Sequence, residues 1–274
     1  MSKFLLIKIV LTGVFALPFI PLLVSSSMFF PFITGKNFAF RIIIEIIAVV
    51  WAILAIREPE YRPKKTTTLI TFGAFLGIIA LADILGENPY RSFWSNYERM
   101  EGLVTHLHLF TYFLIASSIL TTERLWQKFF FTSFGVNLVL AFFAFFQLSG
   151  ALSINQGGVR IDATLGNATY FAVYLLFHIF LTVFFFVRQR FSTRDLALFS
   201  SLGIVLGSFL VVPGYVPAGT KFLIVIVGFC VAGVAFALSH FKEGKWLLSL
   251  IVFLNLVLLY QTETRGAILG LIAG

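Results

Sequence analysis

The sequence predicts an all-α fold, a polytopic bundle of transmembrane helices, on three observations. Of its 274 residues 59% are hydrophobic and 12% charged, roughly half the charged fraction of a soluble domain. Phenylalanine alone occurs 35 times, and the mean hydropathy is +0.98. The apolar residues also fall in runs that approach the roughly 20 helical residues needed to cross a hydrocarbon core. A chain of this length has room for about eight to ten such spans joined by short loops.

The runs predict nine spans and part of a tenth, at residues 4–24, 38–56, 67–84, 103–120, 129–148, 168–187, 196–212, 222–239, 247–260 and 267 onward. The first begins like a secretory signal peptide. It is too long for one, carries Lys8 inside and lacks a clean small-x-small cleavage site, so a retained helix is expected. In the second, Arg41 and Glu45 lie one turn apart on one helical face, which predicts a structural intramembrane pair. The fourth opens with His106 and His108, whose spacing sends them to different faces and argues against a shared metal site. His178 lies mid-span in the sixth and is expected to pack on a neighbouring helix. Between the seventh and eighth, "VVPGYVPAGTK" reads as a loop or a kinked re-entrant turn. The ninth is short and is expected to extend into its flanks. The last, "GAILGLIAG", is rich in small residues that admit a close neighbour, and it stops after about half the length a bilayer requires. Residues 1–274 are therefore expected to form a single transmembrane domain, truncated at its C-terminus.

Lys and Arg set the orientation. With a cytoplasmic N-terminus, the inner loops hold twelve basic residues and the outer loops six, against five and six acids. Every loop obeys the same alternation, so the net charge of +8 is a topology signal and requires no nucleic acid. Three polar loops fall together on the outer side: 86–102 ("GENPYRSFWSNYERMEG"), 155–170 ("NQGGVRIDATLGNATY") and 261–266 ("QTETRG").

The first of these packs Arg91, Arg99, Glu98 and Glu101 among Tyr90, Phe93, Trp94 and Tyr97. Such a loop suits an interfacial aromatic belt or, through forked guanidinium donors, a phospholipid-linked sugar. The second sets Gly157 and Gly158 before Arg160, where unencumbered backbone can approach an anion; it also reads as a flexible connector. In the third, Arg265 stands directly before Gly266, as a snorkelling anchor or as a phosphate-facing cation, and Thr262 and Thr264 can cap or bond locally. No HExxH, P-loop or GxGxxG in its proper context occurs, and no Ser, Asp or Cys stands at triad spacing from a histidine. The lone Cys230 supports neither a disulfide framework nor a thiolate site. The expectation is no metal and no cofactor.

Some of these residues resemble a family. "TETRGAILGL" resembles the Thr-x-Ser-Arg-Gly-Ala segment of the O-antigen ligase and O-antigen polymerase family, while "NPYRSFWSNYERMEGLVTHLHL" and "RIDATLGNATYFAVYLL" are similar to outer loops of one of its branches. The resemblance implies a fold like the GT-C class of membrane transferases, in the bacterial cytoplasmic membrane. It implies transfer of a glycan from an undecaprenyl-diphosphate carrier to an acceptor hydroxyl of lipid A core, another glycan or a protein, with membrane lipids as surroundings. Arg265 matches the motif arginine, Arg160 a second basic position, and Arg91 and Arg99 the branch pattern; together they would bind the diphosphate. This chain has Glu263–Thr264 where Gly–Ser is common, and Ala168 where proline is common. The family's proposed catalytic histidine would lie beyond Gly274, so the chain alone would be the N-terminal part of a transferase and inactive. Two other readings compete: a transporter or flippase for a lipid-linked or anionic substrate, against which stands the lack of repeated halves, and a non-catalytic membrane scaffold.

Overall fold

The computed structural model describes residues 2–96, 99, 101–155, 159–188, 190–210, 218–238 and 245–274. The described residues are mostly helical, with no strand among them. Each of the ten apolar runs lies mostly on a helix over its described residues; the first passes into a 3₁₀ turn at Leu17 and leaves it after Leu22. Among the described residues six helices are long and apolar enough to cross a membrane: Lys3–Leu22, Thr34–Arg57, Thr67–Leu85, Glu123–Leu148, Ala168–Arg188 and Thr193–Leu210. Two further apolar helices are shorter, Leu103–Ile119 and Lys245–Gln261, and the described side chains of a third are apolar over Phe222–Val234. The arrangement is compatible with a multi-pass membrane protein.

The helices group into two compact units, one formed by residues 1–20 and 27–123, the other by 21–26 and 124–274. In the first, α1 (Lys3–Ala16) continues into a 3₁₀ turn and is followed by α2 (Thr34–Arg57), α3 (Thr67–Leu85), α4 (Pro89–Trp94) and α5 (Leu103–Ile119). The helix starts are written in short polar side chains. Ser2 accepts from the Leu5 amide, Thr66 from Leu69 and Asn88 from Arg91, the last with Pro89 in the first helical position, where its missing N–H costs nothing. Helix α1 buries Leu6, Val10 and Val14, spaced four apart, while α2 buries Ile44, Ile47 and Leu54. The two approach so closely that a Cβ on Gly13 would collide with Ile47. Lys3 bridges Glu58 and Glu60 at 2.9 and 2.7 Å. Helix α3 buries only Leu76, and its apolar surface is what a lipid-facing helix requires.

The second unit is built on α6 (Glu123–Leu148), the most buried of the long helices. Around it stand α7 (Ala168–Arg188), α8 (Thr193–Leu210), α9 (Ala218–Leu238), α10 (Lys245–Gln261) and α11 (Arg265–Ala273). Helices α6 and α8 cross at two glycines: a Cβ on Gly203 would strike the Thr132 carbonyl, and one on Gly135 the Ser200 carbonyl. This is the small-residue contact through which membrane helices pack without a hydrophobic driving force. Arg124 closes the same pair at one end with a two-pronged bridge to Asp195, at 2.7 and 3.2 Å. Phe131, Phe134 and Phe185 fill the space toward α7. As expected, His178 packs on a neighbour: its ring meets the Ser133 hydroxyl of α6 at 3.0 Å.

Candidate functional site

The arginines singled out in the sequence divide between the two units, and each group is described by itself. In the first unit the 86–102 segment, read from the sequence as a loop, contains the short helix α4. Its C-terminus is covered by Gly102, where a Cβ would collide with the Ser92 and Phe93 carbonyls. Ser95, just past the helix, has φ 64° and reverses the chain. Arg91 lies on α4 with an exposed side chain. Arg99 sets its guanidinium over the Phe30 ring, 5.4 Å from the centroid, and its carbonyl accepts from Asn37 at 2.7 Å. Tyr97 and Glu98 lie outside the described residues.

Arg41 and Glu45 both turn toward α5. The Arg41 guanidinium donates to the Thr105 hydroxyl at 2.7 Å, and the Glu45 carboxylate meets His108 Nε2 at 3.2 Å. Each histidine also bonds back along its own segment, His106 Nδ1 to the Gly102 carbonyl at 3.1 Å and His108 Nδ1 to the Val104 carbonyl at 2.7 Å. The two histidines thus have separate partners, in keeping with their spacing. Among the described residues no group of three or more His, Cys, Asp or Glu is placed to hold a metal ion.

In the second unit the structure joins two of the predicted loops. Arg160 lies between α6 and α7, and its guanidinium reaches the turn between α10 and α11. Nε donates to the Thr262 carbonyl at 2.7 Å and Nη2 to the Thr264 hydroxyl at 2.6 Å. Thr262 is fully buried and also ties its own hydroxyl to the Leu259 carbonyl at 2.7 Å. The turn therefore has a fixed shape: Glu263 at its apex has φ 50°, the left-handed region that favours glycine. The next residue but one is Arg265, exposed, in the first position of α11.

This docking changes the end of α11. Thr264 occupies the N-cap position, yet its side chain caps no helix amide. Its hydroxyl accepts from Arg160 and turns back to the Thr262 carbonyl at 3.3 Å. A threonine at this position ordinarily satisfies one of the orphan amides of the first turn with its side chain; here the Ala267 amide bonds the Thr264 carbonyl instead, at 3.1 Å, and the helix dipole keeps this end electropositive. A guanidinium placed there faces an unfavourable helix dipole unless an anion joins it. The surroundings are open: a Cβ on Gly266 would meet nothing within 4 Å.

Behind Arg160 lies a buried polar network that sequence reasoning missed. Gln147 and Asp162, 3% and 2% exposed, bond to each other at 2.8 Å. Asn155 donates to the same Asp162 oxygen at 3.2 Å, while Asp162 Oδ2 is buried with no hydrogen-bond partner. Burial pushes the Asp162 carboxyl above the ordinary carboxylate range, against the opposing pull of the Gln147 and Asn155 hydrogen bonds. The available signal was Gln147 itself, an amide in the last turn of the phenylalanine-rich run "AFFAFFQL". Asn167 caps α7, accepting from the Thr169 and Tyr170 amides at 2.8 and 3.4 Å. Gly157 and Gly158 lie outside the described residues, as do residues 211–217 of "VVPGYVPAGTK"; residues 218–221 of that stretch open α9.

Comparison with models of known families, with curated proteins and with solved structures finds no match to this chain.

Proposed function

We propose that the chain recognises the diphosphate of a lipid-linked glycan at Arg160 and Arg265 and serves a membrane transferase of the O-antigen ligase type. The observation that carries this reading is the docking of Arg160 on the Thr262–Thr264 turn, which places two arginines about a hundred residues apart in sequence at one helix N-terminus. One edge of the Arg160 fork is engaged by the turn. A guanidinium has five N–H donors in a planar array, so the opposite edge is left to face a ligand. Arg265 and the positive end of the α11 dipole supply further positive potential, and the flank at Gly266 leaves room for the ligand. A diphosphate suits this set better than a single carboxylate, because it spreads two or more charges over several acceptor oxygens.

The chemistry follows from the leaving group. Transfer of the glycan to a hydroxyl leaves charge on the lipid diphosphate, and cations fixed in a low-dielectric site stabilise that charge without reorganising. Glu263 lends indirect support to the family resemblance: glycine is common there in the family, and the positive φ at that residue is the conformation glycine adopts without strain. The exposed Glu263 carboxylate opposes the cations, but solvent screens it. In this reading the site faces outward from the bacterial cytoplasmic membrane, the N-terminus is cytoplasmic, and nine to ten helices cross in a GT-C-like arrangement. The proton acceptor is assigned to none of the described residues. In cells whose glycan transfer depends on this protein, Arg265→Ala abolishes transfer while the protein still inserts in the membrane. Unchanged transfer rejects the diphosphate role.

A further inference from the structure

One buried side chain organises the Arg160 loop from behind. Gln147 uses every hydrogen-bonding position of its amide on that loop. Its Oε1 accepts from the amides of Asp162 and Ala163 at 3.2 and 2.9 Å. Its Nε2 donates to Asp162 Oδ1 at 2.8 Å and to the Ser153 carbonyl at 3.1 Å. A primary amide offers two donors and two acceptor lone pairs, so all four are matched. The partners lie on both limbs of the loop, Ser153 on the way out and Asp162–Ala163 on the return. Asn155 ties the limbs together a second time, donating to Asp162 Oδ1 at 3.2 Å and to the Ala163 carbonyl at 3.3 Å. Ala163 is held at φ 49°, a conformation that is strained for a non-glycine residue and persists only where its surroundings over-determine it. Arg160 leaves the main chain two residues before Asp162.

We propose that Gln147 is a positioning residue for the anion site: its amide clamps the two limbs of the 149–167 loop, so that Arg160 emerges from a fixed backbone and meets the Thr262–Thr264 turn with its other edge turned to the ligand. The proposal rests on the diphosphate reading above. Gln147 is buried at the end of α6 and makes its contribution through Arg160. The advantage it confers is preorganisation, which lowers the ordering cost that binding must otherwise bear.

The test uses the full chain in detergent micelles, undecaprenyl diphosphate as the probe, and amide hydrogen exchange across residues 149–167. Gln147→Glu removes both donors and sets a second carboxyl against Asp162. Exchange at the Asp162 and Ala163 amides rises, and affinity for undecaprenyl diphosphate falls about tenfold, equivalent to about 1.4 kcal/mol. In the double variant Gln147→Glu/Asp162→Asn the donor and acceptor change ends, and both readouts return toward wild type. On an Arg160→Ala background, Gln147→Glu weakens binding no further, which a general loss of stability would not reproduce. Unchanged exchange in Gln147→Glu overturns the clamp. Faster exchange with unchanged affinity, or equal losses with and without Arg160, overturns the positioning role. Binding that is lost in Arg265→Ala but unaffected by Gln147→Glu overturns this inference alone, whereas no binding by wild type overturns the diphosphate reading with it.

Discussion

Replacing Arg160 by alanine probes the contact that joins the two loops. The side chain makes two short bonds to the turn, at 2.7 and 2.6 Å. A hydrogen bond from a charged donor contributes about 1.5–3 kcal/mol net, and the half-buried position argues for the lower end, about 3 kcal/mol for the two together. Truncation also returns up to about 2 kcal/mol of side-chain entropy. The Thr262 carbonyl keeps a second donor, the Thr264 hydroxyl at 3.3 Å, so it is not left orphaned in a buried place. The expected cost is therefore about 1–2 kcal/mol of local stability, a factor of roughly 5–30 in the opening equilibrium. Hydrogen exchange of the 259–267 amides reads this directly, as faster exchange confined to the α10–α11 turn and the first turn of α11. Arg160→Lys keeps the charge but not the fork and should fall between wild type and alanine. Exchange within about twofold of wild type in Arg160→Ala would refute the docking, since even 1 kcal/mol exceeds that change.

Other substitutions test the backbone and the buried network. Glu263→Gly relieves the left-handed strain at the turn and stabilises the protein by about 0.5–1 kcal/mol after the entropy of the added glycine is subtracted; a lower melting temperature in micelles contradicts the assigned turn. Gly203→Ala presses a methyl group onto the Thr132 carbonyl and costs about 1–3 kcal/mol as an overpacked crossing. Gly233→Ala, whose Cβ would meet nothing within 4 Å, is neutral or mildly stabilising in the same melting assay. For Asp162 the sign runs from its raised folded value: the native state holds the proton more tightly than the unfolded chain, so stability falls as pH rises through that value. Asp162→Asn removes this penalty, raising the melting temperature at pH 7, with the gain disappearing as pH drops into the ordinary carboxylate range. A gain independent of pH would contradict the buried-carboxyl account.

The helices were legible because a bilayer demands long apolar runs, and the runs at 38–56, 67–84 and 168–187 lie within α2, α3 and α7. Caps were legible where a short polar residue precedes the run, as at Asn167. Helix α4 was concealed by its six-residue length and polar content, although Asn88–Pro89 marks its start. What sequence alone could not supply was pairing. The i, i+4 spacing of Arg41 and Glu45 fixes a common helix face, but α5 brings Thr105 and His108 to that face, and those partners have no signature in α2. Arg160 and its turn are separated by about a hundred residues, so nothing local foretells their meeting. The left-handed state of Glu263 was likewise hidden, because glutamate gives no sign of it; only the glycine common at that position in the resembled family hinted at it.

The proposed diphosphate site rests on Arg265 and the docked Arg160 together. The most direct measurement compares binding of undecaprenyl diphosphate with that of uncharged undecaprenol, for wild type and for Arg265→Ala, in micelles at fixed ionic strength. The account predicts that wild type prefers the diphosphate, and that Arg265→Ala loses roughly 10- to 100-fold in affinity for it, the worth of one or two charge-assisted hydrogen bonds, with undecaprenol binding unchanged. Equal affinity of wild type for the two lipids, or a diphosphate affinity unaltered by the substitution, would contradict it.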